Sequence, residues 1–181
     1  MHWDKKGPDN TNSTIREALK RAVELNIQYL VVASSTGATA RKLAGCGRSV
    51  ACVSYHVGFD GPGIRRMSED TERELNEIGI KVLFTTHLLA GVDRAIRNKF
   101  GGVYPSEIMA QTLRMFGHGI KVCVEVGGMA LDAGLIPYGK EIIAIGGSGK
   151  GADTAAVIIP AHSNHFFDTK IKEIICKPSN F

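Results

Sequence analysis

Short apolar runs alternate along this chain with segments in which apolar residues return at helical spacing, and loops rich in glycine and hydroxyl residues separate them. The runs at 28–33, 49–55, 81–85, 121–126, 142–145 and 155–159 are short, mostly apolar and bounded by breakers, the last two rich in β-branched residues, so they are expected to be strands. Leu30-Val-Val-Ala33 lacks any polar alternation, the pattern of a parallel strand covered on both faces. Ile15, Ala18, Leu19, Ala22 and Leu25 form a helical stripe, with Thr14 and Glu17 at capping-box spacing before it and Asn26 after it. Ala40, Leu43 and Ala44 mark a second helix. Ser68 caps a third, with Glu69, Asp70 and Glu72 in its first turn and Gly79 at its end. Leu89, Val92 and Ile96 mark a fourth helix. A fifth carries Ile108, Met109, Leu113 and Phe116 and stops at Gly117 and Gly119; a short helix is expected within 127–134. The tail from Phe166 to Lys177 is expected to be an edge strand, with Lys170 and Lys172 as charged gatekeepers.

Composition narrows the class. With 181 residues and 44% hydrophobic content the chain is long enough for one sizeable core and short for two, so residues 1–181 are expected to form a single domain. A net charge of +4 is spread along the sequence, without an aromatic-interleaved basic patch, which argues against a nucleic-acid partner. Cys46, Cys52, Cys123 and Cys176 lack metal or redox spacing and are expected to be reduced. No stretch approaches the roughly 20 apolar residues of a membrane span. The polar start is not a signal peptide, so a cytoplasmic protein with no membrane partner is expected.

Candidate chemistry gathers in the loops. Ser34-Ser-Thr-Gly-Ala-Thr-Ala40 lies at a strand-to-helix junction, where free N–H groups and hydroxyls suit a phosphate; the plainer reading is that Ser35 or Thr36 caps the helix. His56, in the loop after the second strand, would sit at a ligand rim or be an ordinary surface histidine. His87 ends the third strand. Glu125, an acid inside an apolar run, is either a general acid or base, a ligand acceptor or a satisfied charge. Gly146-Gly-Ser-Gly-Lys-Gly151 could wrap an anion or serve only a hairpin turn. It is not a Walker loop, because Gly151 follows Lys150, nor a dinucleotide fingerprint, because it leads into an apolar strand. His162 and His165 have metal-like spacing but no evident further ligands, so no metal is expected.

The order of helix, strand, Ser34–Ala40 loop, helix and strand resembles the start of the pyruvate kinase C-terminal domain, where a loop so placed binds a phosphate of an allosteric sugar bisphosphate; Gly134 to Gly146 is similar to the end of that domain. Nearly the whole chain resembles an uncharacterised, mainly archaeal family with this pyruvate kinase C-terminal domain-like fold, through Asn10-Thr11, Leu30-Val-Val-Ala-Ser-Ser35, Tyr55-His-x-Gly58, Gly117-His-Gly-x-Lys-Val-Cys-Val-Glu125, Gly151-Ala-Asp-Thr154, Pro160-Ala-His162 and Phe166-Phe-Asp168.

The resemblance implies a three-layer α/β/α domain, with a mostly parallel sheet and an antiparallel C-terminal edge, that binds flavin mononucleotide (FMN). Ser34, Ser35, Thr36, Gly37 and Thr39 would then hold the phosphate, and Tyr55, His56, Gly58 and the loop of Gly147, Ser148, Gly149, Asp153 and Thr154 would border ribityl and ring. Asn10, Thr11, His87 and Glu125 complete the implied site, His87 and Glu125 being the candidate catalytic groups. Kinase activity is not expected to carry over, because no catalytic barrel is expected within these 181 residues. Three functions are expected to compete: an FMN-binding protein that acts as an oxidoreductase, a non-catalytic sensor of a phosphorylated metabolite such as a sugar phosphate, and a phosphatase or lyase using Glu125 or His87 as base. A homo-oligomer is left open.

Overall fold

The computed structural model describes residues 1–181. Strands β1 (His2–Lys5), β2 (Tyr29–Ala33), β3 (Ser49–Tyr55), β4 (Ile80–Thr85), β5 (Ile142–Gly146), β6 (Thr154–Ile159) and β7 (Lys170–Asn180) form one seven-stranded sheet, in the order β1-β7-β6-β5-β2-β3-β4. β2, β3, β4 and β5 are mutually parallel, β6 opposes both β5 and β7, and β1 runs parallel to β7. The helices are α1 (Thr11–Glu24), α2 (Ala38–Arg41), α3 (Glu69–Glu77), α4 (Val92–Phe100), α5 (Pro105–Arg114) and α6 (His118–Asp132).

Side-chain alternation on the buried strands divides the interior in two. Leu30, Val32, Cys52, Ile143 and Ile145 point into a core shared with Ile15, Ala18 and Ala22 of α1, Leu43 after α2 and Leu75 of α3. Val31, Ala51, Val53, Ile142 and Ala144 point the other way, against Ile120, Cys123, Val126 and Ala130 of α6. The domain is therefore three-layered, α/β/α, with a mostly parallel sheet, as the sequence pattern and resemblance implied.

Several boundaries differ from expectation. α1 begins at Thr11 rather than Thr14, because Pro8–Asn10 makes a 3-10 turn leading straight into it. Thr14 is thus a buried helical residue and forms no capping box, and Leu25 is exposed while Ile27 enters the core. Ser68 does cap α3, its Oγ accepting from the Thr71 amide at 3.2 Å. The tail strand is an edge only in part, since β1 pairs with Lys177–Asn180 and leaves the segment bearing Lys170 and Lys172 without a neighbour on that side. The polar β1 carries no apolar period to announce it.

The main correction concerns 121–126, which belongs to α6 and not to a strand. A run buried on every side has the same composition in either state, and periodicity cannot tell them apart. What α6 requires is a glycine-lined approach to the sheet. A Cβ at Gly119 would overlap the side chain of Thr154 on β6, and one at Gly127 would lie 2.6 Å from Ile158 Cδ1. From the sheet side, a Cβ at Gly146 would lie 2.8 Å from the Gly119 carbonyl oxygen.

Glycine inside a helix ordinarily costs about 1 kcal/mol relative to alanine. At Gly119 the packing overrides that preference, because Thr154 is rigid at χ1 and fully buried. Gly119→Ala is expected to destabilise the domain by about 1–3 kcal/mol, the usual cost of overpacking, as measured by urea unfolding; a more stable variant would show that α6 can shift outward freely.

Candidate functional site

Chain order sets the position of the cleft. The chain runs outward from β2 to β3 and β4, then returns to lay β5 on the other side of β2. In open α/β sheets such a switch point leaves a crevice beyond the carboxyl ends of the two central strands. Here the loop after β2, Ser34–Gly37, and the loop after β5, Gly147–Asp153, form its walls. The crevice has two joined compartments, which share Ala33, Ser34, Ser35, Gly149 and Gly151.

The outer compartment, of about 700 Å³, is lined by Thr11, Ser35, Thr36, Thr39, Lys42 and Lys150 among others. Ser34 Oγ accepts from the amides of Thr39 at 3.2 Å and Ala40 at 3.4 Å, which folds the loop into a tight turn with Gly37 at φ 83°. The side chains of Thr71 and Leu75 leave no room for a Cβ at Gly37. The amides of Ser35, Thr36, Gly37 and Ala38 donate to no protein acceptor. Successive free N–H groups of this kind make a concavity for an anion.

The inner compartment, of about 250 Å³, has an aromatic wall and a cationic floor. Tyr55 lies 4.3 Å from Phe59 and 4.9 Å from His87, ring centre to ring centre, and His56 closes the group 5.9 Å from His87. The floor carries Arg94, Arg114, His118, Lys121 and Glu125. Lys121 and Glu125, one helical turn apart on α6, form a buried ion pair whose side chains are 8% and 3% exposed. Glu125 Oε1 also accepts from the Leu89 amide at 3.0 Å, so both carboxylate oxygens are engaged.

Burial pulls the Lys121 ammonium below its ordinary pKa, against the pull of Glu125 in the other direction. Desolvation lowers His87 to about 4, with Lys121, Arg94 and His56 adding to the effect and Glu125 opposing it. His118 is lowered likewise, first by burial and then by Arg114 and Lys121. Both histidines are therefore neutral near pH 7.

The expected site residues divide by what their side chains do. Ser34, Ser35, Thr36, Thr39, Tyr55, His87, Glu125, Gly147 and Gly149 line the crevice, and His56 adjoins it through the aromatic group. Gly58 lies in the turn after β3 at φ 93°, its amide bonded to the Ile64 carbonyl. Asn10, Asp153 and Thr154 are used by the fold. Asn10 Nδ2 donates to the Lys5 carbonyl at 2.7 Å. Asp153 is fully buried and accepts from Gly7 N at 3.0 Å, Ser148 N at 3.2 Å and the Thr154 hydroxyl at 2.8 Å. Thr11 does both, lining the outer compartment while its Oγ accepts from Ala152 N at 3.0 Å. His162 pairs with Asp132 at 2.8 Å and stacks on Tyr138, away from the crevice.

Sequence reasoning missed Phe59, Arg94, Arg114, His118 and Lys121. One signal was present for the last two: read as a helix, His118, Lys121, Val122 and Glu125 fall on one face.

Fold and cleft together define an open α/β domain with a ligand crevice at the switch point of its sheet. The chain belongs to the family described as pyruvate kinase, alpha/beta domain, which matches residues 12–158. Two solved structures of pyruvate kinase from Cryptosporidium parvum are similar to it. One is 15% identical over 83% of this chain with a TM-score of 0.42, and the other 16% identical over 78% with a TM-score of 0.37. The chain spans 23% and 22% of the length of those two chains. No helix is long and apolar enough to cross a membrane.

Two measurements follow from the electrostatics. Removing the carboxylate with Glu125→Ala strands a buried ammonium, so a loss of about 3–5 kcal/mol is expected on urea unfolding, and Lys121→Met with Glu125→Leu should cost less than the single change. For His87 the folded state resists protonation while the unfolded chain titrates at about 6.5. Between these values the unfolded state binds more protons, so the His87 contribution to stability declines as pH falls from about 6.5 to about 4. An NMR titration of the His87 ring giving an ordinary histidine value would refute the assignment.

Proposed function

We propose that this chain is an FMN-binding domain, the phosphate held over the Ser34–Thr39 loop and the ring lying against the Tyr55, Phe59 and His87 wall. The observation that carries the reading is the meeting, in one crevice, of four acceptor-less amides with an aromatic wall. The residues fit such a group in a further respect. Nδ1 of His56, Nδ1 of His87 and Oγ of Ser148 are buried without a partner, and buried polar atoms of this kind ordinarily find one. The amides of Ser35–Ala38 would bind phosphate, with Lys42 and Lys150 adding charge. The aromatic wall would exclude water from one side of the ring, and neutral His87 can hold a proton on one nitrogen while accepting on the other. The flavin, when bound, would supply the electron-transfer chemistry of an oxidoreductase. The motifs from Asn10-Thr11 to Phe166-Phe-Asp168 support a narrower placement with the mainly archaeal members of this fold.

A second reading, a non-catalytic sensor of a sugar phosphate, is favoured by one specific observation: Glu125 is spent on Lys121 and the Leu89 amide, so it is not a free general base.

The absorption spectrum of the purified protein, before and after addition of FMN, tests the first reading. Flavin bands that persist through gel filtration are expected. FMN should bind at least about tenfold more tightly than riboflavin, because a hydrogen bond to a charged group contributes about 1.5–3 kcal/mol. A protein that stays colourless after incubation with FMN, but whose melting temperature rises with a sugar phosphate, would replace it with the second.

A further inference from the structure

Seven of the chain's ten arginines lie in ion pairs with carboxylates, and Arg48 donates to Gln28. The two that remain, Arg94 and Arg114, line the same inner cavity. Arg94 lies over the Phe59 ring at 5.4 Å, and Arg114 Nε donates to His118 Nδ1 at 3.3 Å. Neither meets a counter-charge, because the one carboxylate in that cavity, Glu125, is already taken by Lys121 and the Leu89 amide. Two half-buried guanidiniums beside one cavity repel each other and lack the pairing that burial normally demands. The first turn of α6, which starts at His118, adds the positive end of its dipole. The same cavity is lined by Tyr55, Phe59, Val53, Val126 and Met129, which offer surface to a flat apolar body.

We propose that the inner cavity is a binding subsite for a planar organic carboxylate, the carboxylate gripped by Arg94 and Arg114 and the ring set on the Tyr55–Phe59 wall. The fork of a guanidinium matches a carboxylate in two parallel hydrogen bonds. The subsite lies outside the phosphate compartment but shares the Tyr55–Phe59 wall with the flavin ring placed there above, so the two ligands exclude each other and the carboxylate takes the cavity of the flavin-free protein. It also has a mechanical consequence. α4 buries none of its residues and is held to α5 by Arg97–Glu107 at 2.6 Å and by Ser106–Asp93. A carboxylate bridging Arg94 of α4 and Arg114 of α5 beside α6 would fasten this loosely packed pair over the crevice.

The test titrates the full chain, first stripped of any bound flavin and shown by absorbance to be free of it, with benzoate, with neutral benzamide of the same shape, and with inorganic phosphate, followed by calorimetry and by the ring resonances of His87 and His118. Benzoate is expected to bind and to move both sets of resonances. Benzamide should bind at least about tenfold more weakly, for want of the charge-assisted pair. Arg94→Gln and Arg114→Gln should each weaken benzoate by about tenfold or more, and by more than Lys42→Gln in the outer compartment does. Both arginines sit on the half-exposed α4–α5 segment, and an unaltered melting temperature confirms folding of the variants. Equal affinity for benzamide, binding of phosphate but not benzoate, no benzoate binding, or sensitivity to Lys42 but not to the arginines would each overturn the proposal. FMN binding is read separately by absorbance, so loss of either result leaves the other standing.

Discussion

How closely α6 can approach the sheet decides most of what lies on that face. Gly119, Gly127 and Gly146 remove the side chains that would otherwise separate helix from strands, and Thr154, Ile158 and the Gly119 carbonyl occupy the space. With the helix seated so deeply, residues one turn apart on its crevice side have little access to water. Lys121 and Glu125 are therefore buried together and satisfy each other, with the Leu89 amide supplying a further donor. The same contact brings the start of α6 to the crevice and makes His118 and Lys121 part of its floor.

A second knot holds the opposite wall. Asp153 gathers the amides of Gly7 and Ser148 and the hydroxyl of Thr154, while its own carbonyl accepts from Trp3 Nε1 at 2.8 Å. It joins the N-terminal segment to the glycine loop. Within that loop a Cβ at Gly147 would meet the Gly151 carbonyl oxygen at 2.6 Å, and one at Gly151 would meet Pro8 Cα at 2.7 Å. These glycines permit the loop to fold back on itself and on the chain start. Gly149, at φ 112° with open space around it, lies at the crevice where the two compartments join.

The two compartments present positive charge and hydrogen-bond donors by different means. The outer one offers uncharged amides and hydroxyls on a turn held by Ser34, with lysines at its border. The inner one offers guanidinium charge beside aromatic faces, where reduced contact with water strengthens each Coulombic term. Burial keeps His87 and His118 neutral there, so they neither add to the positive charge nor need anions of their own. A ligand spanning both compartments would be read once by its phosphate and once by its flat body.

Much of the fold was legible from local pattern. The strands at 29–33, 49–55, 80–85, 142–146 and 154–159 stand within a residue of their apolar runs, because strands buried on both faces, as the central ones are, admit little else. Ser34 to Thr39 and the 146–154 loop were legible as the walls of a crevice, since strand ends and glycines declare themselves. The 121–126 run was not, because complete burial erases the difference between periods 2 and 3.6. Nor could Arg94 and Arg114 be singled out, since an arginine on a helix looks the same whether it meets a carboxylate or a cavity. By itself, then, the sequence determined an α/β domain with a loop rich in hydroxyl residues at a strand end, since these depend on neighbours in the chain. Tertiary structure alone decided that α6 is a helix seated on glycines, that Asp153 and Thr154 serve the fold, and that two unpaired arginines share one cavity. Those facts rest on contacts between residues far apart in sequence, where packing and counter-charge are set by the whole molecule.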